Sequence, residues 1–131
     1  MYIPPNMEMP EKPEEDVIAD FISCFGFGLL VSPSLAATHI PLIYEAQDNG
    51  KGVLYGHLAR ANSQWRGLEN QRVLVVFSGP HSYISPYWYA GKPAVPTWNY
   101  AAVHCYGRAK LLVDPADVLD ELLRKYEPRL L

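Results

Sequence analysis

Paired cysteines, long apolar runs and an excess of positive charge are all missing from this 131-residue sequence. Its two cysteines, Cys24 and Cys105, stand far apart with no CxxC spacing, which excludes a disulfide framework and the usual redox and zinc motifs. Both read as small buried hydrophobes of a reducing cytosol. No apolar run approaches the roughly 18 residues that span a bilayer. The opening Met1-Tyr2-Ile3-Pro4-Pro5-Asn6 has no basic segment leading into an apolar one, so no signal peptide is expected and the cytoplasm is the default location. A net charge of −3 lacks the basic footprint of a nucleic-acid binder. His39, His57, His81 and His104 are dispersed without an HExxH, and no metal site is expected. A single histidine could ligate haem, but there is no CxxCH to attach it. A GxSxG elbow is absent, and Gly26-Phe27-Gly28 follows a helical pattern without a third glycine, so it is no dinucleotide fingerprint. No catalytic residue is assigned; His39 and His104 alone offer general acid–base chemistry.

What is present points to one folded domain over 1–131, with 1–12 as a proline-bearing extended arm. Hydrophobic residues make up 49% of the chain and aromatics 12%, including nine tyrosines, a composition that suits a pleated surface. Pro13 and the acidic Glu14-Glu15-Asp16 open a helix whose apolar face is Val17, Ile18, Phe21, Ile22 and Phe25, and Gly26 ends it. Strands are expected over 27–32, 36–44, 52–57 and 72–77. Pro41 demands an edge or a bulge in the second of these. Asn49-Gly50 suits a type I′ hairpin. Residues 60–66 form a short helical turn, and 79–96 a structured loop. In the long strand after Pro96, Trp98, Tyr100, His104 and Tyr106 share one face, with Thr97, Asn99, Val103 and Cys105 on the other. Asp114 caps a last helix with Pro115 in its first turn and a stripe of Val118, Leu119, Leu122, Leu123 and Tyr126. This order favours a small antiparallel barrel or sheet with flanking helices.

Two segments carry candidate chemistry. In Gly56-His57-Leu58-Ala59-Arg60-Ala61-Asn62, His57 and Arg60 can approach one anion from a strand end and a helical turn, the guanidinium offering a fork for two phosphate oxygens. The same residues also read as a surface arginine and a capping asparagine, and chemistry alone leaves both readings open. The ring-rich stretches around Tyr83–Tyr89 and Val95–Tyr100 suit either a flat cofactor or a second aromatic core.

Taken in order, these motifs resemble the PaiB family. The resemblance rests on Gly56–Asn62 with Gln64-Trp65, Tyr83-Ile84-Ser85-Pro86 with Trp88-Tyr89, and Val95–Tyr100 with Val103-His104. Met1–Pro5 and Ala37-Thr38-His39-Ile40-Pro41-Leu42 add to it. It implies an FMN-binding split β-barrel, mainly β with flanking helices. That fold is a six-stranded antiparallel Greek-key barrel working as a homodimer, with flavin near the subunit interface. The family is described as negative transcriptional regulators linked to protease synthesis and sporulation. His57, Arg60 and Asn62 inherit a phosphate-gripping role, and Thr38 and His39 sit on the strand against the flavin ring. Tyr83, Ser85, Trp88, Thr97, Trp98 and Asn99 match further family motifs. The chain departs from the family in three places. It has only Pro33-Ser34-Leu35 between the first two strands, Ser63 where proline is usual, and an end at Leu131 before a further strand-helix region of the relatives, so that the expectation is either an abbreviated barrel or a fragment of a longer chain.

The expectation is a flavin-binding regulator or sensor with FMN as cofactor, a homodimer that acts without gripping DNA directly. A flavin-dependent oxidoreductase and a haem-binding or haem-degrading barrel are the alternatives. Arg124, Lys125 and Arg129 read as a solvated helix face.

Overall fold

The first helix, α1 (Glu15–Cys24), carries Glu15 and Asp16 in its first turn, where carboxylates meet the positive end of the helix dipole. The computed structural model describes residues 15–48, 50–88, 95–112 and 116–130. The expected arm, the start at Pro13, Asn49 and the Asp114–Pro115 cap lie outside them. Ile22 is buried and Ile18 and Phe21 pack against the core. Val17 and Cys24 are exposed, so Cys24 is not the buried hydrophobe that its apolar neighbours suggested. It lies two positions beyond Ile22, off the stripe that faces the core.

Among the described residues six antiparallel strands follow: β1 (Phe27–Val31), β2 (Ala37–Pro41), β3 (Ile43–Ala46), β4 (Gly52–Tyr55), β5 (Arg72–Ile84) and β6 (Thr97–Arg108). They form a four-stranded sheet in the order β2-β1-β5-β6 and a separate ribbon of β3 with β4. The expected mainly β, antiparallel architecture is therefore present, hydrogen-bonded among the described residues as two open sheets and not as a closed barrel. The single run expected over 36–44 divides at Leu42. Pro41, on the edge strand, ends the pairing with Phe27, as a residue without an amide proton should. The Leu42 amide then donates to the Gly26 carbonyl at 2.9 Å, and the chain crosses into the ribbon.

The β3–β4 hairpin closes one residue earlier than an Asn49-Gly50 two-residue loop requires. The Gly50 amide donates to the Gln47 carbonyl, the Gln47 amide donates to Lys51, and Gly50 has φ +77°. This is the three-residue loop with glycine in the left-handed position.

β5 also corrects the sequence reading. It runs on through Gly79 and Pro80 to Ile84 instead of ending in a loop at 79. Its pairing with β6 slips between Ser78 and His81, where one extra residue is accommodated. Proline is tolerated at such a bulge because no ladder bond is asked of it. The slip re-aims the strand, so that Tyr83 opposes Trp98 and His81 opposes Tyr100. A two-stranded arm results, extending past the stretch where β1 pairs with β5.

The core joins Ile22, Leu30, Ile40, Leu42, Leu68, Val75 and Phe77, with Val103 and Cys105 packed against it. Phe77 is fully buried, worth about 2–3 kcal/mol of apolar transfer. The predicted alternation of β6 holds along its core-facing half, with Cys105 turned inward and Tyr106 outward. Burial pushes the Cys105 thiol above the usual cysteine range. The second helix, α2 (Ala116–Tyr126), buries Val118 and Leu122. Arg124 pairs with Glu121 and Arg129 with Glu127, leaving an ordinary solvated face. Among the described residues, no helix is long and apolar enough to cross a membrane.

Candidate functional site

Gly56 begins the motif in a place where a side chain would crowd Leu42 and the Pro41 backbone. A methyl group there would lie 2.7 Å from Leu42 Cδ2 and 3.2 Å from the Pro41 carbonyl oxygen. Glycine therefore lets the chain leave β4 close against the end of β2. His57 and Arg60 follow, both exposed. The Asn62 amide donates to Ala59 at 2.8 Å, and a 3₁₀ turn over Ser63–Trp65 starts at Asn62, whose side-chain oxygen accepts from the Gln64 amide at 3.0 Å. The capping reading of Asn62 is thus part of the structure, and it is compatible with an arginine free for a ligand. Ion pairs lie at Glu121–Arg124 and Glu127–Arg129. The Arg60 guanidinium is in neither.

Around the Asn62 cap sits a polar network. Asn62 Nδ2 donates to Thr38 Oγ1 at 3.0 Å, and the Thr38 hydroxyl donates to Gln64 Oε1 at 2.5 Å. Gln64 Nε2 donates to the carbonyls of Leu30 at 3.0 Å and Ala36 at 2.8 Å. Gln64 is 7% exposed, so these bonds replace water that burial removed. Trp65 Nε1 donates to the Arg60 carbonyl at 2.8 Å, and Arg66 lies over the Trp65 ring. The structure thus joins Thr38, Asn62 and the Arg60 loop. His39 points to the opposite face of β2 and stacks on Phe27, centroids 5.6 Å apart.

The remaining candidates gather elsewhere, on the β5–β6 arm. His81 stacks on Trp98 at 5.8 Å, Tyr83 meets Trp98 at 6.1 Å, and Trp88 sets its edge to Tyr83 at 6.3 Å. Trp88 is 67% exposed and Trp98 53%. Such rings normally seek cover. Ser85 Oγ accepts from the Tyr87 amide, holding the 3₁₀ turn Pro86–Trp88. Thr97 and Asn99 pair with Ile84 and Ser82 and are exposed.

The two groups do not meet within one chain. β2 and β6 are opposite edges of the sheet, and Tyr83 lies well beyond Val75, the β5 residue level with Leu30 and Thr38. At about 3.3 Å per residue over the seven or eight positions along β5, and about 4.8 Å per strand over two or three strands, the separation in a flat sheet is on the order of 25–30 Å. One hollow of about 410 Å³ is lined by Cys24, Phe25, Gly26, Phe27, Ser78 and Tyr126. Another of about 170 Å³ lies beside Ser32, Gln64 and Gln71. Neither is lined by Arg60 or Trp98. By chemistry the donor set suits FMN, with a guanidinium and an imidazole for phosphate and ring faces for a flat heterocycle.

The sequence assigns no role to Phe27, nor to Gln64 and Trp65 beyond their place in the motif after Asn62. The signal for Gln64 was its place two residues after a capping asparagine, where a buried amide could reach across to the first hairpin.

Comparison with known proteins adds the following. A family model described as "Putative FMN-binding domain" matches residues 1–130. Protease synthase and sporulation protein PAI 2 of Bacillus subtilis is 41% identical over 133 residues, covering 97% of this chain and 62% of the relative. An uncharacterized protein of Saccharomyces cerevisiae is 44% identical over 94 residues, covering 68% of this chain and 56% of that protein. A third relative, an uncharacterized protein of Emericella nidulans, is 35% identical over 109 residues, 63% of this chain and 43% of its own. The chain thus spans about three-fifths or less of the length of these curated relatives.

Proposed function

Because this chain belongs to the FMN-binding domain family and is PaiB-like, we propose that it binds FMN as a homodimer and serves a regulatory or sensory role through the bound flavin. The observation that carries the proposal is the exposed Arg60 guanidinium, outside every described ion pair and mounted on a loop whose backbone is hydrogen-bonded in place. Arg60 and His57 hold the phosphate, and a fixed arginine fork suits that anion. Bound FMN supplies a redox-active ring system. The aromatic arm bearing Tyr83, Trp88 and Trp98 stacks on it.

The placement of these residues supports the dimeric reading. Phosphate donors and rings occupy opposite edges of one sheet, so a two-fold partner is the economical way to bring an arm over an Arg60 loop. The outward face of the sheet supports this reading, since Phe27, Tyr100 and Tyr106 are each more than 60% exposed. The regulatory role rests on the likeness to the Bacillus subtilis protein, whose name ties it to protease synthesis and sporulation. A net charge of −3 favours action through a small molecule or a protein partner over direct DNA contact.

Titration of the purified chain with FMN, with haemin as control, tests the reading. The expected result is a perturbed flavin absorption doublet, quenched flavin fluorescence and one FMN per protomer. A folded dimer that leaves the FMN spectrum unchanged, or that yields a Soret shift with haemin instead, would overturn it.

A further inference from the structure

The polar network around the Asn62 cap spends nearly all of its hydrogen-bonding capacity on itself. The single hydroxyl proton of Thr38 goes to Gln64 Oε1, and its oxygen accepts from Asn62. The Asn62 oxygen is taken by the Gln64 amide, leaving that side chain one free amide proton. Gln64 Nε2 places both protons on the Leu30 and Ala36 carbonyls, with Ser32 Oγ a further acceptor at 3.4 Å. These two carbonyls flank the β1–β2 turn, so one buried amide ties that hairpin to the start of the 3₁₀ turn. From the next residue, Trp65 Nε1 reaches back to the Arg60 carbonyl.

We infer that Gln64 and Trp65 are positioning residues that set Arg60 toward the flavin phosphate, and that Thr38 and Asn62 belong to the same positioning unit instead of gripping the phosphate as primary donors. The inference rests on the FMN reading proposed above. Its physical content is preorganisation. An exposed arginine on a free loop loses backbone freedom when it binds, whereas one whose carbonyl and neighbouring turn are already bonded loses less. The direction of each bond matters as well. Thr38 is committed as donor to Gln64, so it has no second proton to offer a phosphate oxygen.

The test is a comparison of Kd for FMN and for riboflavin, which lacks the phosphate, in the full chain. Gln64→Met keeps length and removes the amide. Trp65→Phe keeps most of the ring and removes the bond to Arg60. Arg60→Ala removes the proposed grip. The expected outcome is that the wild type prefers FMN and that Arg60→Ala abolishes the preference. Gln64→Met and Trp65→Phe should each weaken FMN binding about tenfold, the worth of roughly one hydrogen bond, with little change for riboflavin. Adding Trp65→Phe to Arg60→Ala should have no further effect, because residues acting through one group are not additive. Should Gln64→Met fail to fold, Trp65→Phe decides, since the Trp65 ring is not part of the core. Equal losses for FMN and riboflavin would reduce Gln64 and Trp65 to a structural role and overturn the inference. So would an unchanged FMN preference in both variants while Arg60→Ala loses it, with the phosphate assignment left standing. An Arg60→Ala variant that keeps the preference would remove that assignment and the inference together.

Discussion

Leu35 and Gly50 occupy the same position in two hairpin turns of the same construction. In the first, the Leu35 amide donates to Ser32 and the Ser32 amide donates to Ala36. In the second, Gly50 donates to Gln47 and Gln47 donates to Lys51. Each places its fourth residue in the left-handed region, Gly50 at φ +77° and Leu35 at φ +67°. Glycine adopts this conformation freely, whereas leucine crowds its Cβ against the carbonyl oxygen at about 1–2 kcal/mol. Since Leu35 is 85% exposed, little burial offsets that strain. Leu35→Gly should therefore raise stability by about 0.5–1 kcal/mol after the added unfolded-state entropy is counted. Urea denaturation checks this through a higher midpoint at unchanged slope; a lower midpoint would show that the turn carries no such strain.

The Tyr44 hydroxyl donates to a Glu15 carboxylate oxygen at 3.0 Å, tying β3 to α1. Burial, then the hydrogen bond to Glu15 and the negative charges of Glu15 and Cys105, raise the Tyr44 pKa above the usual 10.0. Folded Tyr44 thus holds its proton to higher pH than the unfolded chain does. Its contribution is fully present below the usual tyrosine value and is lost as pH rises through the raised one. Midpoints of denaturation measured between pH 8 and 11 should fall more steeply for the wild type than for Tyr44→Phe above about pH 10. Parallel curves would mean that Tyr44 ionises alike in both states.

A flavin site shared between two subunits makes a prediction that a site within one subunit does not. Arg60→Ala and Trp98→Ala homodimers should each bind FMN poorly. In a refolded equal mixture, half of the dimers are mixed, and each mixed dimer has one site with both residues intact and one with neither. About a quarter of the wild-type sites should therefore return. Equilibrium dialysis at an FMN concentration that saturates the wild type reads the number. Binding no greater than the average of the two variants would place the arm and the arginine in separate roles.

The local signals in this sequence were legible because they act over a few residues. The acidic start of α1, the edge position at Pro41 and the capping by Asn62 each follow from one side chain's need or lack of a hydrogen bond. The alternation that turns Cys105 inward and Tyr106 outward is fixed by the pleat. Some candidate residues were legible through the motifs that carry the family resemblance, Arg60 among them. Gln64 was not, because its partners Thr38, Leu30 and Ala36 lie 26, 34 and 28 residues away, and no local pattern announces a buried amide's acceptors. The aromatic arm was hidden for another reason. The proline and glycine that suggested a loop at 79–80 sit at a bulge, where they cost β5 little.

By itself, then, the sequence determined five strand runs in outline, the helix at each end and the chemical types available for a phosphate and a flat ring. Those depend on periodicity and on side-chain chemistry, which travel with the residues. The tertiary structure alone decided the strand order that sets Thr38 and Trp98 on opposite edges, the slip at Ser78 and His81 that brings Tyr83 and Trp98 to one face, and the buried amide that locks the Arg60 loop to the first hairpin. Strand pairing is a choice among distant partners. It is settled by which register buries Phe77 and Val75 together while leaving every Gln64 bond made.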